Sequence, residues 1–103
     1  MEIRIKATKI ELTDELRAYL EEKMNMLEKY LGDVPVINCD TELALAVGGQ
    51  SSGKIYRAEV NLNLPGELLR ITKTEEDIKK AIDKVKDHLV AMIIKYKEKR
   101  VGK

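Results

Sequence analysis

Apolar and polar residues alternate along this chain with two different periods, and the switches between them mark out its elements. Residues 2–8 keep a period of two, with Ile3, Ile5 and Ala7 on one side and Glu2, Arg4, Lys6 and Thr8 on the other. Side chains of a strand point alternately to its two faces, so this pattern predicts a half-buried strand. Thr13 offers a hydroxyl N-cap, and Asp14 and Glu15 suit the positive end of a helix dipole. From there Leu16, Leu20, Met24, Leu27 and Leu31 recur at spacings of three and four, which predicts one amphipathic helix stopped at Gly32, with Pro35 shortly beyond. Residues 36–47 return to a period of two, with Ile37, Cys39, Thr41, Leu43, Leu45 and Val47 inward and Asn38, Asp40 and Glu42 outward. The stretch Gly48 to Gly53 predicts a hairpin connection. A third strand from Lys54 turns Tyr56, Ala58, Val60, Leu62 and Leu64 inward, and Pro65-Gly66 predicts a tight turn into a fourth, Glu67 to Lys73.

Thr74 followed by Asp77 resembles a capping box. The last helix then carries Ile78, Ala81, Ile82, Val85, Leu89, Met92, Ile93 and Tyr96 on its buried stripe, runs to about Arg100 and frays over 101–103. Val90 and Ile94 lie outside that stripe and make Leu89 to Ile94 apolar almost all round, either under the first helix or as a patch for a partner. The order is βαβββα, an α+β chain without repeat or linker, and 103 residues fit one domain, 1–103. Four strands with one apolar face need a cover, and the two helices are the only candidates. The expected architecture is a four-stranded sheet with both helices on one face. Short turns make strands 2 to 4 an antiparallel meander, and return through a helix permits strand 1 to pair in parallel.

Composition narrows the function classes. With no Trp and no Phe, the core is built from Leu, Ile, Val, Ala and Met. The lone Cys39 closes no internal disulfide, no apolar run approaches the roughly 18 residues of a membrane span, and Met1 to Lys6 lacks a signal-peptide core. The expectation is a reducing cytoplasm and no membrane attachment. Net charge is +1, but residues 1–78 hold ten basic and fifteen acidic residues, while residues 79–103 hold nine and three. The last quarter is therefore +6 against −5 for the rest, and a polyanion feels that local field, because screening hides charges beyond about 10 Å.

Little in the sequence supports catalysis. His88 is the only histidine, with no triad or metal spacing around it, and Cys39 alternates inward as a small buried hydrophobe. Gly48-Gly49 with Gly53-Lys54 fails as a phosphate loop, since Ile55 replaces the magnesium-binding hydroxyl and a strand follows. No enzyme, cofactor, metal or small-molecule substrate is expected, and a hydrolase built on His88 is the remotest reading. The basic residues of the last helix say more. Lys80, Lys84, Lys95 and Lys99 lie off the apolar stripe, joined by Lys86, Lys97 and Arg100. Each can neutralise a phosphate without reading a base. Asp83, Asp87 and Glu98 interleave as possible i,i+4 partners, so a merely solvated face stays open on spacing alone. Tyr30 and Tyr96 could stack on bases but sit where a helix would bury them.

Two stretches resemble the ribosome hibernation-promoting factors. Thr13-Asp14-Glu15-Leu16-Arg17-Ala18-Tyr19, then Lys23 and Leu27-Glu28-Lys29-Tyr30, is similar to their first helix. Glu76-Asp77-Ile78, Ala81-Ile82-Asp83 and Lys95-Tyr96-Lys97 with Lys99 are similar to their second. The resemblance implies a fold similar to double-stranded RNA-binding domains. It also implies a stress or stationary-phase protein that binds the small ribosomal subunit and its ribosomal RNA in the messenger and transfer RNA channel, inhibiting translation as a monomer off the ribosome. By position it makes Lys23, Lys29, His88, Lys95 and Lys99 RNA contacts, while Lys84, Lys86, Lys97 and Arg100 join them from charge alone. Departures are Met26, Ala91 and His88 where the family commonly carries Lys or Arg, and Lys79 for a usual Tyr, which implies a looser grip. The family's long forms carry a further dimerisation domain, and a short form or an N-terminal domain both fit this sequence. The alternative outside this family is a protein-interaction module docking through Leu89–Ile94 or an open sheet edge.

Overall fold

A computed structural model describes residues 1–46 and 53–101. The elements in chain order are β1 (Ile3–Thr8), α1 (Asp14–Asn25), α2 (Glu28–Leu31), β2 (Asn38–Ala46), β3 (Ile55–Leu64), β4 (Glu67–Glu75) and α3 (Ile78–Val101). The strands form one sheet in the order β1-β2-β3-β4, with β1 parallel to β2 and the other pairs antiparallel. Register sets Cys39 beside Ile3 and Leu62, and Leu62 beside Leu69, so the inward residues of all four strands line one face. The helices lie on that face, as the two periods require.

One cluster makes the core. Leu16, Leu20 and Met24 of α1, Leu27 and Leu31 around α2, and Ala81, Ile82, Val85, Leu89, Ile93 and Tyr96 of α3 are buried on Cys39, Leu43, Ala58, Val60, Leu62, Leu64 and Leu69. Ile78 and Met92 are only partly buried at the margin. Val90 also packs on the core from the side, while Ile94 stays exposed.

Several local expectations change. The first helix is not continuous: Leu27 N–H donates to Met24 C=O at 3.0 Å, an i→i+3 bond, and Met26 has φ −64, ψ −19. That is 3₁₀-like backbone next to Asn25, a weak helix former. Its two ends follow the sequence reading, for Thr13 Oγ1 accepts from Leu16 N–H at 3.1 Å and Gly32 closes α2 at φ +59. Thr74 is not a cap, because β4 continues to Glu75. Asp77 caps α3 instead, its Oδ1 accepting from Lys79 N–H at 2.9 Å while its carbonyl takes Ala81 N–H. Helix α3 is assigned as far as Val101, and residues 102–103, the rest of the expected frayed end, fall outside the described residues. Ile37 is 59% exposed rather than inward, because it precedes β2, where its N–H donates to Asn63 C=O beyond the end of the strand. Val47 and most of the Gly48–Gly53 connection lie outside the described residues.

Leu89 is fully buried at the centre of α3. Leu89→Ala is expected to cost about 2–5 kcal/mol through lost burial and a residual cavity, read as a lower midpoint in urea unfolding. Cys39 is buried, and burial pushes its thiol up to about 11. A thiol reagent at neutral pH should therefore label it only on unfolding, and rapid labelling of the native protein would contradict that placement.

Candidate nucleic-acid interface

The two faces of the molecule differ in charge. On the open side of the sheet, acids and bases are matched within and across strands. Arg4 Nε meets Asp40 at 2.7 Å, Thr8 Oγ1 donates to Glu42 at 2.7 Å, and Arg57 bridges Glu59 at 2.8 Å and Glu42 at 3.5 Å. Arg70 adds Glu59 at 3.5 Å and Asn61 at 2.9 Å. Hydrogen bonding from Thr8, with the charge of Arg57, holds the Glu42 carboxyl below the usual carboxylate range. Such a mosaic offers a polyanion no single-sign field.

The helical side is where the basic residues collect, and α3 divides them into two flanks. Lys84, His88, Lys95 and Lys99 are separated by four, seven and four residues, which keeps them on one side of a 3.6-residue helix over about 22 Å. This flank faces β4. Lys84 pairs with Glu75, and Lys99 reaches Glu67 at 3.3 Å. Strand alternation puts Glu67, Leu69, Ile71, Lys73 and Glu75 on the helix side of β4, with acids at both ends. Between those ends, His88 and Lys95 are exposed and make no ion pair among the described residues. Lys73 shares this side of β4 and is the cation that a helix-centred sequence reading misses, although the period of β4 would have found it.

The other flank meets α1 and α2. Asp83 accepts from Tyr19 Oη at 2.7 Å and lies 3.6 Å from Lys23 Nζ, and Lys79 pairs with Glu15 at 2.9 Å. The Lys79 ammonium holds the Glu15 carboxyl below its usual range. The ammonium groups of Lys23 and Lys79 sit over the Tyr19 ring at 5.3 and 5.2 Å. Lys79, read from the sequence only as a lost tyrosine, is thus part of the seam that ties α1 to α3. Lys86 pairs with Asp87 at 2.7 Å, a hydrogen bond that raises its ammonium pKa.

At the far end the last turns of α3 close over two bends. Lys97 Nζ donates to Tyr30 C=O at 2.9 Å, and Tyr96 Oη and Arg100 Nη1 donate to Pro65 C=O at 2.6 and 3.2 Å. Lys97 and Arg100 therefore serve the fold, though each keeps further donors free. Tyr96 is core and closed to bases, whereas Tyr30 is half-buried with Lys29 Nζ over its ring at 5.3 Å. The nine sequence-chosen residues do not form one patch: Lys84, His88, Lys95 and Lys99 share the β4 flank, Lys23 and Lys86 lie on the α1 side, and Lys29, Lys97 and Arg100 gather at the tip. A cleft of about 640 Å³ where α1 and α3 begin mixes Lys9, Lys54 and Lys79 with Glu11, Glu15 and Glu76 and has no His or Cys in its lining. Among the described residues no group of three or more His, Cys, Asp or Glu could hold a metal, and no helix is long and apolar enough to cross a membrane.

The sequence profile described as Sigma 54 modulation protein / S30EA ribosomal protein matches residues 3–101, nearly the whole chain and both helical flanks. The chain belongs to this family. Among its relatives, the ribosome hibernation promotion factor of Deinococcus radiodurans is 33% identical over 89 residues, 85% of this chain and 44% of that protein. The factor of the same name from Lactococcus lactis is 32% identical over 102 residues, 94% of this chain and 50% of that protein. The chain thus spans about half the length of the curated relatives it matches. Its fold is similar to the N-terminal domain of Protein Y from Thermus thermophilus, a crystal structure matched with TM-score 0.78 and 31% identity over 93% of this chain and 99% of that one. The family is one of ribosome-associated factors and not of enzymes.

The Tyr19–Asp83 bond predicts a titration. Hydrogen bonding to Asp83, then burial, raises the Tyr19 hydroxyl from 10.0 to about 12. The folded protein holds this proton more tightly than the unfolded chain, so the stabilisation is complete below pH 10 and is lost as pH rises towards 12. Ring-resolved NMR titration should give a midpoint near 12, dropping towards the ordinary value in Asp83→Asn. An unchanged midpoint in that variant would remove the bond as the cause.

Proposed function

We propose that this chain is a non-enzymatic ribosome hibernation factor of the cytoplasm. It binds the small ribosomal subunit through ribosomal RNA, occupies the channel used by messenger and transfer RNA, and so inhibits translation. The family match over residues 3–101 carries this reading, and the charge distribution supports it. RNA phosphates meet the β4 flank of α3 first, where His88 and Lys95 stand exposed without an acidic partner among the described residues. Lys99, Lys84 and the tip cations Lys29, Lys97 and Arg100 extend the contact, while Lys23 and Lys86 join from the α1 side. Contacts of this kind supply affinity and orientation rather than sequence reading. Ala91 and Met26 leave two gaps in the field, which lowers the number of phosphates held. Off the ribosome the chain is a monomer.

Sedimentation with purified ribosomes over a salt series is the test. Co-migration with small subunits that weakens steeply with salt is expected. Lys95→Glu with Lys99→Glu should reduce the slope of log affinity against log salt by about 0.7–0.9 for each phosphate that is no longer neutralised. Absence of co-migration at every salt concentration would overturn the proposal, and unchanged binding by the double variant would move the RNA surface to another flank.

A further inference from the structure

The β4 flank is occupied in the free protein. Its two outer cations, Lys84 and Lys99, are paired with Glu75 and Glu67, the first and last inward positions of the edge strand. The fit follows from two rises: fifteen residues of helix span about 22 Å and eight residues of strand about 26 Å, so one element running antiparallel to the other brings both ends into register. The interior of that inward row, Leu69, Ile71 and Lys73, carries no acid. The acids stand only where the helix presents a lysine. Both lysine side chains remain more than half exposed, at 57% and 62%, so they are reachable by a ligand while paired.

We propose that Glu67 and Glu75 are intramolecular phosphate substitutes that set how tightly the stripe holds RNA. This rests on the reading of the β4 flank as an RNA surface. In the free protein the two carboxylates occupy the outer lysines, and only the centre of the stripe, His88 and Lys95, is open. An incoming phosphate at either end must displace a carboxylate, which is an ion-pair exchange and not a simple capture. Exposed lysine–carboxylate pairs are weak, so exchange is permitted but subtracts from each outer contact. The device limits affinity without removing a lysine, and it makes binding depend on contact with the centre first. It is also invisible in the net charge of the helix, because both acids come from another element.

The discriminating experiment compares Glu67→Gln/Glu75→Gln with Glu2→Gln/Glu11→Gln. The two variants change the net charge equally, and Glu2 and Glu11 make no ion pair among the described residues. Affinity would be measured for a short RNA duplex by fluorescence anisotropy and for small subunits by sedimentation, both across salt. The expected result is roughly two- to tenfold tighter binding of the duplex by the Glu67/Glu75 variant, with a steeper salt slope, and a clearly smaller change in the control. Equal gains in both variants would reduce the effect to net charge and overturn the proposal, as would no gain in the Glu67/Glu75 variant. A gain on the duplex without any binding of small subunits would keep the exchange and discard the ribosomal partner.

Discussion

The packing of α3 along the sheet, antiparallel to β4, is the contact on which the other features hang. Ala81, Ile82, Val85, Leu89, Ile93 and Tyr96 form an unbroken buried stripe, and few other large apolar surfaces are available to cover four strands that lack Phe and Trp. Burial of such side chains is worth about 1.5–3 kcal/mol each for the larger aliphatics, so the helix cannot rotate about its axis without losing several of them. Its ends are fixed as well. Asp77 caps the first turn, and Tyr96 and Arg100 bind the carbonyl of Pro65 in the β3–β4 turn. Once the stripe is down, every cation of α3 has an assigned flank.

That assignment turns a basic helix into a graded surface. The open face of the sheet balances its own charges, and the α1 seam uses Lys23 and Lys79 against Asp83 and Glu15 around the Tyr19 ring. The β4 flank is more open to an external anion than the α1 seam, for the Lys84 and Lys99 side chains are 57% and 62% exposed and that of Lys23 only 21%. Partly exposed ion pairs of this type contribute little to stability, so they shape access to the cations more than they hold the fold together. In a family of ribosome-associated factors, this separates basic residues that build the helical layer from basic residues left exposed to solvent.

The element order, the sheet with helices on one side, and the core stripe were legible from periodicity, because side-chain alternation is a local property of each strand or helix. The caps at Thr13 and Gly32 were legible for the same reason, while Thr74 was misread because β4 continued through a position whose residue type suits a cap equally well. The break at Leu27 left no trace in the apolar spacing, since a short 3₁₀-like turn keeps Leu27 and Leu31 in phase with Met24. For the site, the sequence identified which residues are basic and the resemblance implied a ribosomal partner for the chain, but neither showed which lysines are already paired.

The sequence by itself therefore determined that α3 is amphipathic and carries a surplus of positive charge, since both are read along one element. Only the tertiary structure decided how that charge is spent. Glu67 and Glu75 lie 32 and 9 residues from the lysines they hold, and Asp83 and Glu15 act across helices. Such pairs exist only once strand register and helix rotation have brought distant positions within a few ångströms, at the short range where surface charges in salt still act on one another.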